Sequence, residues 1–225
     1  MGASKKVKLE EDYAAEGQRG ANQVLACSLF AVLCAIVRRF WVGIDSPLDL
    51  QSVASLGNQL TIAYVSFFAG CAGDTWASEL GVLSKSPPRL ITKPWQTAVP
   101  GTNGGVSLIG TLASAAGGAC MGLCHGLLLP VFPLKYMLGN IAILSAVGLV
   151  SGLGGSLLDS LLGATLQATY YDTERKIVVK KPNPPVTENR GGWPFLSNET
   201  VNVVSTIVVA ILAALWTPCM LEFLG

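Results

Sequence analysis

The chain has 225 residues, 51% of them hydrophobic and 13% charged, with a formal net charge of +1. Soluble domains carry about a quarter charged residues, and a soluble core does not need apolar blocks of about twenty residues, so a soluble globular domain is excluded. No basic patch for a nucleic-acid partner remains once loop charges are assigned, and the six cysteines show no CxxC spacing for a zinc site or disulfide framework.

Residues 1–20 are polar, with Lys5, Lys6, Lys8 and Arg19 set against Glu10, Glu11, Asp12 and Glu16. No apolar stretch comes before Val24, so this segment reads as a cytosolic lead-in rather than a cleavable signal. A first span is expected over 21–37, stopped by Arg38 and Arg39, and a second over 53–73. The third, 106–129, carries Gly110, Ser114, Gly118, Gly122 and Gly126 at every fourth position. Such a ridge of small residues lets a neighbouring backbone approach closely. Pro130 and Pro133 mark a tight link to the fourth span, 137–158, which holds Gly148, Gly152 and Gly155 and is expected to continue as helix toward Gln167. A polar, Pro-rich loop follows over 170–199, and a fifth span over 201–221. Unpaired backbone groups are too costly in hydrocarbon for anything but helices here. The expected fold class is therefore all-α, a polytopic transmembrane helix bundle of about five spans.

Loop charge sets the orientation. Twelve of the fifteen Lys and Arg fall in the amino-terminal segment, the Lys85–Lys93 loop and the Arg175–Arg190 loop, which share one side. The positive-inside rule makes that side, and the amino terminus, cytosolic. The sequon Asn198-Glu199-Thr200 then faces the cytosol and is expected to stay unmodified.

With this orientation, four clusters distant in sequence meet at the cytosolic ends of spans: Gly17–Arg19, Asp74–Glu79, Pro100–Gly105 and Ser156–Gln167. Asp74 and Glu79, at the end of an apolar span, are candidate Mg²⁺ ligands, with Ser78 in support; the bland alternative is a polar helix end paired with Lys85 or Arg89. Gly101, Thr102, Asn103, Gly104 and Gly105 lead straight into a helix, where exposed N–H groups could cradle phosphate, or could simply form a tight turn. No Gly-Lys-Ser/Thr follows, so the segment is not a P-loop. Ser156, Asp159 and Gln167 lie on one polar helical face, where Asp159 could join the metal or act as a base, or could hydrogen-bond between helices. Arg19 and Lys93 are the candidate cations for phosphate. His125 is expected mid-span with a structural role, and Cys120, Cys124 and His125 read as buried small-residue packing rather than a metal site.

No Ser/His/Asp triad can be assembled around the single histidine. Carboxylates with an anion cradle point instead to phosphoryl transfer, in which positioning and charge neutralisation do most of the work. A site opening at the bilayer surface could take a lipid acceptor. The rival is a non-enzymatic membrane protein or an anion or lipid transporter, for which Asn58 and Asn140 are the best polar entries.

The segments AGDTWASELGVLSKSPPRLIT (Ala72–Thr92), VPGTNGGVSLIGT (Val99–Thr111), GSLLDSLLGATLQ (Gly155–Gln167) and GQRGANQVLA (Gly17–Ala26) resemble the transmembrane protein 19 family over roughly residues 10–220. Plant members of that family include phytyl-phosphate kinase. The Gly73-Asp74-x-x-Ala77 core also resembles CTP-dependent polyprenol, dolichol and phytol kinases. The resemblance implies phosphoryl transfer from a nucleotide, CTP, to an isoprenyl phosphate. It also implies further membrane helices ahead of the Gly17–Arg19 segment in other members, so the chain is expected to be shorter than its relatives. Residence in the endoplasmic reticulum or another endomembrane is the default expectation.

Overall fold

The computed structural model describes residues 21–44, 46–49, 52, 54–129, 134–179 and 182–224. The lead-in with Arg19, and the link at Pro130 and Pro133, lie outside the described residues. Among the described residues six helices carry the fold: α1 (Ala21–Ala26), α2 (Leu29–Trp41), α3 (Leu56–Gly81), α4 (Leu108–Leu128), α5 (Leu134–Leu166) and α6 (Asn198–Leu224). Three are long and apolar enough to cross a membrane: Leu108–Leu128 in α4, Met137–Leu166 in α5 and Asn198–Cys219 in α6.

Helix α3 falls outside that group although it has 26 residues. It packs against α2, α4, α5 and α6. A helix surrounded by protein need not be as apolar as one facing lipid. Its start is defined by Ser55, whose side chain accepts from the Asn58 N–H.

The expected first span is divided. Helix α1 ends at Ala26, and α2 begins after Ser28, whose hydroxyl bonds back to the Val24 carbonyl at 2.7 Å. Nor does Arg38 stop the second piece, which runs on to Trp41. Arg38 turns inward instead, and its Nε donates to Thr61 Oγ1 at 2.9 Å. A buried guanidinium is tolerated when oxygen acceptors surround it.

The small residues expected to form a packing ridge do so. A Cβ on Gly118 would meet the Gly148 carbonyl oxygen and lie 2.7 Å from Gly152 Cα; one on Gly126 would lie 2.9 Å from Ile141 Cα. Helices α4 and α5 thus touch backbone to backbone. Between lipid-facing helices such close contact supplies the dispersion energy that the hydrophobic effect cannot.

The loops hold more structure than an all-α reading allows. Strands β1 (Arg89–Leu90), β2 (Lys93–Thr97) and β3 (Gly105–Val106) form one antiparallel sheet in the order β2-β1-β3. Strands β4 (Tyr170–Asp172), β5 (Ile177–Val179) and β6 (Thr187–Asn189) form another, ordered β5-β4-β6. The β4–β5 turn is set by Asp172, whose carboxylate accepts from the N–H groups of Glu174 and Arg175 at 2.9 and 2.8 Å. The described residues of the 170–199 stretch therefore hold a small sheet where only a loop was expected. Its strands are only three residues long, too short to announce themselves by alternation.

Candidate functional site

The carboxylates are brought together by glycine. A Cβ on Gly155 would lie 2.9 Å from Gly70 Cα, and one on Gly73 would lie 2.5 Å from the Gly152 carbonyl oxygen. Helices α3 and α5 therefore cross in contact, with their carboxyl-terminal ends at the same end of the bundle. Residues four apart share a helical face. Asp74 follows Gly70 by four positions and Asp159 follows Gly155 by four. Both carboxylates thus rise about one turn above the contact, and they lie within electrostatic reach of each other.

Helix α6 closes the third side, running the opposite way. A Cβ on Gly70 would touch Thr206 Cγ2 at 3.3 Å, and Asn202 lies one turn back from Thr206. Ser205 Oγ donates to Asp159 Oδ2 at 3.3 Å. The Asn202 amide, oriented with its nitrogen inward, donates to the same oxygen at 2.8 Å and to the Asn198 carbonyl at 3.2 Å. Sequence reasoning missed Asn202, Ser205 and Thr206. Their signal was present, polar residues at i, i+3 and i+4 in an otherwise apolar helix.

The glycine-rich turn sits one to two turns further along α5. A Cβ on Gly104, where φ is +77°, would run into Ala164 Cβ and lie 2.7 Å from the Ser160 carbonyl oxygen. Only glycine combines that positive φ with so close an approach. The turn is bound to its seat: the Asn103 N–H donates to Thr169 Oγ1 and the Asn103 amide to the Ala168 carbonyl, both at 3.2 Å. The N–H groups of Thr102 and Gly105 donate to Val99 and Thr102 carbonyls. The Ser107 hydroxyl caps the amino terminus of α4 by accepting from the Gly110 N–H. Much of the donor capacity expected for phosphate is thus committed within the turn and to the chain just past α5.

The remaining candidates are dispersed. Ser156 is buried on α5 and Gln167 is buried just past its last residue, its N–H donating to the Gly163 carbonyl. Ser78 is exposed and bonds its hydroxyl to the Thr75 carbonyl at 3.0 Å. Glu79 lies about 140° around α3 from Asp74 at 100° per residue. Lys93 is exposed at the start of β2. Arg19 lies outside the described residues.

Asn58 and Asn140 sit at the far end and pin the chain between α2 and α3. Asn58 bonds both the N–H and the carbonyl of Asp49, and Asn140 Oδ1 accepts from the Leu48 N–H at 2.7 Å. His125 belongs to the last turn of α4, near that end rather than mid-span.

Among the described residues, no group of three His, Cys, Asp or Glu side chains is placed to hold a metal ion.

Apolar helices in backbone contact, with a carboxylate pair near one end, define an integral membrane protein with a polar terminal site. No solved structure matches the chain. Its sequence matches the family described as integral membrane protein DUF92 over residues 1–210, and the chain belongs to that family. It is 36% identical over 219 residues to Protein PGR of Arabidopsis thaliana, covering 96% of this chain and 75% of that one. An uncharacterized membrane protein of Methanocaldococcus jannaschii is 32% identical over 88% of this chain and 62% of its own length. An uncharacterized membrane protein of Synechocystis is 31% identical, with shares of 88% and 59%. The chain thus spans less than two thirds of the length of the latter two.

Proposed function

We propose that the chain is a membrane phosphotransferase of the kinase type, passing a phosphoryl group from a nucleotide, CTP, to an isoprenyl phosphate at the cytosolic face. The observation that carries this reading is the Gly70–Gly155 contact, one turn below Asp74 and Asp159, which brings the two carboxylates within electrostatic reach at the end of the bundle where the glycine-rich turn packs on α5. The donor and acceptor classes come from the resemblance in Ala72–Thr92 and Gly155–Gln167. In this reading Asp74 holds Mg²⁺, and Glu79, about 140° around α3 from it, is left out of the metal shell. Asp159, steadied by Asn202 and Ser205, completes the shell or takes the proton. Bound Mg²⁺ would neutralise phosphate oxygens during transfer. Among the described residues, the part of the Gly101–Gly105 turn not committed to holding itself in place is the proposed phosphate contact, with Asn103 acting mainly to seat the turn. Five spans, a cytosolic amino terminus and an endomembrane setting belong to the same proposal.

A transporter reading would use polar groups at mid-bundle, where the buried Ser66 and Ser151 hydroxyls meet at 2.9 Å. Transporter sites are usually built on interrupted helices, whereas α3 and α5 run continuously through these serines. That favours the enzyme.

The test supplies phytyl, geranylgeranyl and farnesyl monophosphates with labelled CTP or ATP and Mg²⁺ to membranes holding the chain, or the chain joined to the upstream helices of a relative. Diphosphate product is expected, and Asp74→Asn is expected to remove it. A well-folded longer version that phosphorylates none of these lipids would sink the kinase reading.

A further inference from the structure

Trp193 and Phe195 are 67% and 71% exposed, and their rings stack with centroids 6.1 Å apart and planes 17° from parallel. Pro194 between them fixes its own φ and restricts Trp193, so the pair is held on a stiff backbone. Residues 191–198 carry no charge. Two large apolar rings on an uncharged segment make a poor surface for water.

The segment is tied to the ends of two apolar helices. The Trp193 N–H donates to the Thr165 carbonyl at 3.0 Å, and the N–H groups of Phe195 and Leu196 donate to the Leu166 carbonyl at 3.2 and 3.0 Å. These carbonyls end α5 and have no partner further along their own helix. Gly192, at φ +73°, permits this approach, since a Cβ there would run into the Gln167 carbonyl oxygen. Three residues after Phe195, α6 begins. The aromatic pair therefore stands level with the end of the apolar stretch Met137–Leu166 and the start of Asn198–Cys219.

The opposite end of the bundle carries its own exposed aromatics. The outer face of α6 runs from Val204 through Ile211 to Trp216, and Phe40 and Trp41 are exposed where α2 ends. Trp216 follows Asn198 by eighteen positions, a rise of ~27 Å at 1.5 Å per residue. The hydrocarbon core of a bilayer is ~30 Å thick, and Trp and Tyr gather at its two boundaries.

We propose that Trp193 and Phe195 anchor the chain in the headgroup layer of the leaflet at the carboxylate end, with Trp216 marking the other boundary. The Asp74–Asp159 pair then lies beneath the headgroups. Asp159 precedes Leu166 by seven residues, and Asn202, which bonds it, follows Asn198 by four. Both helices thus put the carboxylates ~6–10 Å inside the aromatic boundary. On the transfer reading above, a lipid phosphate meets them without leaving the leaflet. The anchor itself rests on the fold, and its test reads depth rather than activity.

Depth is measured in two ways on the full chain in phosphatidylcholine vesicles. In the first, tryptophan emission is quenched by phosphatidylcholine brominated beside the headgroup, by the same lipid brominated at the chain ends, or by aqueous iodide. The difference between the unmodified chain and Trp193→Phe reports Trp193. Quenching is expected to be strongest with bromine beside the headgroup and to be lost in Trp193→Phe. Quenching by iodide alone puts the rings in water, facing a soluble partner, and strongest quenching at the chain ends buries them; either overturns the anchor. In the second, a nitroxide at Val204→Cys, in a background without the native cysteines, samples the exposed face of α6 between Asn202 and Ser205. Its collisions with dissolved oxygen are expected to exceed those with an aqueous nickel chelate, and joint Trp193→Ala and Phe195→Ala replacement is expected to shift that ratio. A nitroxide relaxed mainly by nickel puts the carboxylates outside the hydrocarbon and overturns their depth. A ratio that the double replacement leaves unmoved overturns the anchoring role.

Discussion

Asp159 Oδ2 accepts from two donors on α6, and the side chain lies within electrostatic reach of Asp74 on α3. Two opposed consequences follow. Removing a donor leaves the oxygen less satisfied, so Asn202→Ala and Ser205→Ala are each expected to lower stability by about 0.5–1.5 kcal/mol. Denaturant titration in detergent micelles would measure this, and an unchanged midpoint for both would mean that the bonds are not formed. Replacing the charge itself acts the other way, because two like charges no longer meet in a partly buried site. Asp159→Asn is therefore expected to unfold at or above the temperature of the unmodified chain. If Asp159 is the proton acceptor, the same variant should lose about 10²-fold or more of its transfer rate. A stable, inactive Asp159→Asn separates chemistry from folding; a destabilised one points to an interhelical structural role.

At the scale of elements, the glycines of α4 and α5 differ sharply in what surrounds them. A Cβ at Gly118 would run into α5 backbone, and one at Gly152 would lie 2.6 Å from the Ser114 carbonyl oxygen. Gly139, on the same α5, has nothing within 4 Å of such a Cβ. Gly118→Ala should therefore cost about 1–3 kcal/mol through forced separation of the helices. Gly139→Ala should be neutral or stabilise by up to about 1 kcal/mol, because alanine is the better helix former. Thermal unfolding of the two side by side checks the claim, and equal effects would refute the backbone contact. Gly73→Ala adds a functional readout, since its Cβ would press against Gly152 and move Asp74 away from Asp159. Loss of transfer greater than loss of stability is the expected pattern.

For the whole molecule, both small sheets, the glycine-rich turn and the carboxylate pair gather at one end, while Arg38, Asn58, Asn140 and His125 gather at the other. The proposed orientation, argued from loop charge, puts the first end in the cytosol. In a background without the native cysteines, Trp95→Cys on β2 and Ile44→Cys after α2 give a direct check; their native side chains are 77% and 80% exposed. A maleimide that cannot cross the membrane should label Ile44→Cys in intact compartments from the non-cytosolic side, and Trp95→Cys only from the cytosolic side. The reverse pattern would invert the bundle.

The sequence by itself determined the membrane class, the apolar cores of α4, α5 and α6, and the small-residue ridge through Gly118 and Gly152. Each depends on local composition or on spacing along one helix, and the hydrocarbon core imposes its length requirement on every segment separately. It also marked Asp74 and Asp159 as unusual, because a carboxylate near the end of an apolar run is conspicuous without any partner in view. Tertiary structure alone decided which groups meet. Ser205 reaches Asp159 across 46 positions, and Asn103 reaches the Ala168 carbonyl across 65. No periodicity encodes such pairs; they follow from how closely glycine allows α3, α5 and α6 to approach. The same holds for Arg38, which reads as a span terminator and becomes a buried clamp once Thr61 and Ser46 are brought alongside it.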